Sequence, residues 1–182
     1  MVMTTTQLRD EALLLLDGRG AILDVARIVS RALVDQNIPG AVIGGVAVVL
    51  HGHVRTTLDV DVWVPGTLDQ VADALKQADF SFDASRREFK LGQVPVHLIS
   101  SEQTLISPSN LLDIEQVRTV SLADLINLKL SSGTRSVLRS QDIADIIGLI
   151  RANQLSNSFV PKIAKPFRKD FRKLVNAVGK GC

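Results

Sequence analysis

The chain has 182 residues, of which 46% are hydrophobic and 22% charged, and its formal net charge is +2. Aromatics make up 4% and tyrosine is absent, so the balance suits one compact globular unit with an aliphatic core. The one cysteine, Cys182, excludes an internal disulfide and a Cys-rich zinc site, and no apolar run approaches the roughly 20 residues that cross a bilayer.

In chain order, the spacing predicts a helix over 7–17. Its "ALLLL" run is short and flanked by Glu11 and Asp17, so it reads as neither a signal peptide nor an anchor, and a cytoplasmic protein without membrane contact is expected. A second helix is predicted over 20–37, where Ile22, Val25, Ala26, Val29 and Leu33 recur at three- and four-residue spacing before Pro39-Gly40. Ala41 to Ile43 then reads as a short buried strand that breaks at Gly44-Gly45, and Val46 to His53 as a helix or helical turn. Thr57 to Val64 reads as the next strand, closed by Pro65-Gly66. An amphipathic helix over 68–79 follows, then a hairpin over 86–99 turning at Gly92-Gln93, with Pro95 at a strand start or on a sheet edge. Beyond Pro108 the chain reads as helical, over 121–131, 136–153 and from about Pro166. The expected architecture is α/β: a small mixed sheet flanked by helices over 1–110, and a helical part over 111–182.

The acidic pair in the second strand needs a reason, because aspartate is a poor strand former. Alternation sets Asp59 and Asp61 on one face, about 6–7 Å apart along the backbone, with Leu58, Val60, Val62 and Val64 on the other. Like charges so placed repel unless a cation lies between them. Paired carboxylates suit a hard divalent ion such as Mg²⁺, which keeps waters and phosphate oxygens as its other ligands; cross-strand Lys or Arg partners are the plainer explanation. Gly44-Gly45, between a strand and a helix, suits either an ordinary turn or a phosphate. Arg55, Thr56 and Thr57 add a charge and two hydroxyls between the two features. His51 and His53 read as loop residues, since their spacing fits no zinc pattern.

The stretch "GGVAVVLHGHVRTTLDVDVWV", residues 44–64, resembles the signature of the nucleotidyltransferase superfamily, whose fold is that of the DNA polymerase beta catalytic core. Gly44, Gly45, Ala47, Arg55, Thr57, Asp59 and Asp61 fall on the pattern of its AbiEii-like abortive-infection branch. A second motif, "LINLKLSSGTRSVLRSQDIADII", resembles that branch at Lys129, Arg139, Asp142 and Asp145. The resemblance implies a nucleotidyltransferase-like fold and a transfer of NMP from a nucleoside triphosphate, with Mg²⁺ or Mn²⁺ held by Asp59 and Asp61. Gly44, Gly45, Arg55, Thr57, Lys129 and Asp142 would then bind the nucleotide. It also implies a tRNA or protein acceptor and a cognate antitoxin or partner protein, as in a toxin–antitoxin system. One position departs from the pattern: His97 stands where a third catalytic carboxylate is expected. Neutral histidine accepts protons or binds metal, but is a poorer Mg²⁺ ligand than an oxygen. The alternative is therefore a catalytically impaired member acting as a nucleotide- or partner-binding module.

The end of the chain is basic. From Pro161 onward seven Lys or Arg stand against one acidic residue, net +6, which leaves residues 1–160 at −4. Phe167, Phe171, Leu174, Val175 and Val178 mark one helical face and the cations the other. A docking helix with a solvated charged face and a platform for RNA phosphates both fit.

Overall fold

The computed structural model describes residues 6–7, 10, 14, 19–133 and 140–179. Most of the helix expected over 7–17, together with Arg139, Lys180 and Cys182, lies outside the described residues. Seven strands form one sheet in the order β3-β4-β5-β2-β1-β7-β6. They are β1 (Ala41–Ile43), β2 (Val60–Val64), β3 (Ser81–Asp83), β4 (Glu88–Leu91), β5 (Val94–Ser100), β6 (Leu111–Ile114) and β7 (Val117–Val120). The helices are α1 (Ala21–Asp35), α2 (Gly44–Leu50), α3 (Asp69–Gln77), α4 (Leu122–Gly133), α5 (Ser140–Ala152) and α6 (Arg168–Gly179).

Side-chain alternation divides the interior into two layers. Val60, Val62 and Val64 of β2 point with Val96 and Phe89 toward α1 and α3, whose apolar stripes (Ile22, Val25, Val29 and Leu33; Val71 and Leu75) close over them. Trp63, Ala41 and Ile43 point the other way and are covered by Leu125, Ile146, Leu149 and Phe171 of α4, α5 and α6. Each fully buried Val or Leu stabilises the fold by about 1.5–3 kcal/mol. The mixed α/β architecture predicted from sequence is present. Asp61, between Val60 and Val62, therefore faces the layer of C-terminal helices.

Three expectations need correction. The acidic strand begins at Val60, not Thr57; Leu58 and Asp59 form a bend, and Leu58 is exposed rather than buried. The chain does not turn helical after Pro108, because β6 and β7 form a hairpin that continues the sheet through the parallel pairing of Val42 with Thr119. The helices begin only at Leu122. The hairpin at Gly92 also has a third arm, β3, paired antiparallel with β4. Pro95, by contrast, takes the first of its two expected places: β5 is internal and Pro95 is its second residue, so its missing N–H falls at the strand's start. No helix among the described residues is long and apolar enough to cross a membrane.

Candidate active site

The parallel pairing of β2 with β5 puts Asp61 beside His97 in register. The bend before β2 brings Asp59 to the same point. His97 Nδ1 lies 3.4 Å from Asp59 Oδ2 and 3.4 Å from Asp61 Oδ1. One donor atom from each of the three residues falls within 4.8 Å of the others, a grouping that can hold a metal ion. The other imidazole nitrogen, Nε2, lies 3.2 Å from Glu88 Oε2 on β4. The hydrogen bond to Asp61 raises the His97 pKa to about 9; the bond to Glu88 and the charges of Asp59 and Asp61 reinforce it against partial burial. Without a metal, an imidazolium thus balances the like-charged pair.

Glu88 is a participant that the sequence reading missed. It is 7% exposed, and its second oxygen lies 3.0 Å from the Lys90 ammonium. Lys90 and His97 together hold its carboxyl below the usual range despite the opposing effect of burial. The signal for it was present: β4 and β5 pair Phe89 with Val96 and Lys90 with Pro95 across the Gly92-Gln93 turn. Continued by one residue, that register sets Glu88 opposite His97.

The glycine pair is explained by close approach. Gly44 has a φ of +66°, and a Cβ there would collide with the Asp61 carboxylate. A Cβ on Gly45 would strike the Thr57 side chain, whose hydroxyl donates to Asp59 Oδ1 at 3.0 Å. The two glycines let the acidic strand and the Arg55–Thr57 segment pack directly on the start of α2.

Lys129 and Asp142 reach the same cleft. A cavity of about 430 Å³ is lined by Gly44, Asp61, Lys129 and Asp142, with Leu125 and Leu128 on its apolar wall. Lys129 contacts Asp142 at 2.9 Å and Asp145 at 2.6 Å. Arg55, which the resemblance assigns to nucleotide, also pairs with Asp145, at 2.9 Å. Asp145 is fully buried and accepts from Gln141 as well. Burial pushes its carboxyl upward, but Lys129, Gln141 and Arg55 outweigh this and hold it below the ordinary range. Two acids at helical spacing on an apolar stripe (Asp142, Asp145, Ile146, Leu149) signalled this cluster in the sequence. His51 is structural: burial lowers its pKa, and Nε2 meets the Val120 carbonyl at 2.9 Å. His53 packs on Gly148.

The tail docks as the first of its two expected readings required. Phe171 and Val175 are buried in the helical layer, while Lys165, Lys169 and Arg172 are exposed.

Residues 24–175 match the family described as "Nucleotidyltransferase of unknown function (DUF6036)". In structure the chain is similar to an antigenic nucleotidyltransferase-like protein from Paracoccidioides brasiliensis, at 22% identity and a TM-score of 0.54, over 86% of this chain and 87% of that one. It is also similar to JHP933 from Helicobacter pylori, at 17% identity and a TM-score of 0.54, over 85% of this chain and 76% of that one. At such identities the likeness shows the fold. No functionally curated protein matches the chain.

Proposed function

Because the chain belongs to the nucleotidyltransferase family DUF6036, whose match spans residues 24–175, we propose that it transfers the nucleoside monophosphate of a nucleoside triphosphate to an acceptor. In that reaction an acceptor oxygen bonds to the α-phosphorus and the bond to pyrophosphate breaks. The observation that carries the reading is the convergence of Asp59, Asp61 and His97 beside a cleft that also contains Gly44, Lys129 and Asp142.

The residues present fit a divalent cation. Two carboxylates and an imidazole offer donor atoms at one point, and the bare Cα of Gly44 leaves the Asp61 carboxylate its place. Asp59 and Asp61 would hold the cation, for which the resemblance suggests Mg²⁺ or Mn²⁺. When bound, it supplies Lewis-acid stabilisation of the charge on the phosphates. Thr57 keeps Asp59 oriented through its hydroxyl. Gly44 and Gly45 would meet the triphosphate with backbone alone, since Asp61 and Thr57 fill the space a Cβ would take. Lys129 offers it a positive charge, for which an entering phosphate competes with Asp142. Arg55 contributes to the field from its pairing with Asp145.

We take the acceptor to be RNA, with tRNA the first candidate. The exposed cations Lys165, Lys169 and Arg172 suit a phosphate backbone. The motif of residues 44–61 supports a place near the abortive-infection branch, and with it a cognate partner protein and a cytoplasmic setting. The imidazole in the third carboxylate's place favours a second reading, a nucleotide-binding module without catalysis. Incubation with each α-labelled triphosphate, a divalent cation, and either total RNA or cell protein decides between them. Label in a ribonuclease-sensitive product supports the proposal, and label in protein changes the acceptor. Nucleotide binding with no transfer to either leaves the binding module.

A further inference from the structure

The geometry points to His97 as a ligand of the cation rather than as the base for the acceptor, with Glu88 as its positioning residue. The centre therefore takes a borderline transition cation, of the Co²⁺ or Zn²⁺ kind, in preference to Mg²⁺. This rests on the nucleotidyltransferase reading and specifies the ion that the site uses.

Three observations carry it. The first is convergence: His97 Nδ1 is equidistant, at 3.4 Å, from one oxygen of Asp59 and one of Asp61. Two ligands each about 2.1 Å from a shared ion stand about 3.0–3.4 Å apart at angles between square and tetrahedral. A base would instead be aimed at open cleft, where an acceptor enters.

The second is the tautomer. An ionised glutamate only accepts hydrogen bonds. Glu88 lies 3.2 Å from Nε2, so that nitrogen carries the proton. The same rule puts a proton on Nδ1 toward Asp61 in the metal-free protein; a cation takes that proton's place at Nδ1 while Nε2–H stays on Glu88. Glu88 is itself fixed, being buried on β4 with its other oxygen on Lys90. A carboxylate behind a histidine is how ligating imidazoles are oriented, and its loss typically costs about 10- to 100-fold in metal affinity.

The third is the donor set. Mg²⁺ prefers an all-oxygen shell, whereas imidazole suits Zn²⁺ and its neighbours. Replacing an expected carboxylate by His97 weakens the site for the first and strengthens it for the second.

Calorimetric titration of the full chain with Co²⁺ alone and with Mg²⁺ alone tests this, using wild type, His97→Asp and Glu88→Gln. In wild type Co²⁺ binds about 100-fold or more tighter than Mg²⁺, and His97→Asp narrows that ratio by about tenfold. Glu88→Gln weakens Co²⁺ by about tenfold. Nitrogen-15 NMR of the Zn²⁺-loaded wild type, which needs no variant to fold, shows His97 with Nδ1 metallated and Nε2 protonated. An unchanged ratio in His97→Asp, or a free Nδ1 in the Zn²⁺-loaded protein, overturns the inference and leaves the nucleotidyltransferase reading standing. Wild type that binds neither cation, and transfers no label, overturns both.

Discussion

Two charged clusters are joined to the same cleft, and they are built differently. Around Asp145 the chain buries one carboxylate completely and satisfies it with Lys129, Arg55 and Gln141. Around His97 it places Asp59, Asp61 and Glu88 about one half-exposed imidazole, and of these three acids Lys90 pairs with Glu88, sharing its charge with Asp83. The first cluster pairs its buried acid with two cations. The second is open and depends on one proton for its balance. Saturation suits a latch, here tying the segment around Arg55 to α4 and α5. Unsaturated negative charge suits an ion or substrate that arrives later.

The largest expected effect separates the two clusters by stability. Asp145→Asn removes the anion shared by Arg55 and the nearly buried Lys129, which keeps Asp142, and should cost about 3–5 kcal/mol in urea denaturation. Asp61→Asn, at the open cluster, should cost less than about 1 kcal/mol. Equal costs would erase the distinction between latch and reactive site.

A smaller effect tests the join between them. Gly45→Ala drives a methyl into Thr57, and overpacking of that kind should cost about 1–3 kcal/mol. Because Thr57 orients Asp59, cation affinity measured by calorimetry should fall in the same variant. A full loss of stability with unchanged cation affinity would mean that Thr57 does not serve the acidic pair.

The smallest effect is the pH dependence of the open cluster. Its His97 pKa is raised from 6.5 to about 9 by Asp61 first, then by Glu88 and the remaining acidic charge. A raised folded-state pKa stabilises fully below about 6.5 and is lost as pH climbs through about 9. Urea denaturation should therefore show wild type losing a margin over His97→Gln between pH 6 and pH 10. The margin should stay under about 1 kcal/mol, because the pair is half-exposed and screened. The imidazole resonances should titrate near 9 in the metal-free protein; a midpoint near 6.5 would put His97 outside the cluster.

What the sequence disclosed follows from which interactions are local. Strand alternation set Asp61 apart from the apolar face of Val60, Val62 and Val64, and the helical stripes of α1 and α3 were legible from their spacing. The hairpin β6–β7 was not, because its turn residues, Glu115 and Gln116, both adopt positive φ (50° and 67°) without glycine or asparagine. Such two-residue turns are ordinarily marked by Asn-Gly. Arg27 of α1 donates to the Glu115 carbonyl at 3.0 Å, a tertiary contact that no local pattern announces. β3 is three residues long and leaves Phe82 half-exposed, too short for alternation to show. In the site, Glu88 was readable from the hairpin register, whereas the sharing of Asp145 by Arg55 and Lys129 depends on how the helices dock.

The central claim is that the aspartate pair beside His97 is the reacting centre of a nucleotidyl transfer. Its most direct measurement is label transfer from α-labelled triphosphates to RNA, comparing wild type with Asp61→Asn at matched folded concentration. Wild type should transfer label, and the variant should lose about 100-fold or more of that rate. Equal transfer by the two proteins would contradict that claim.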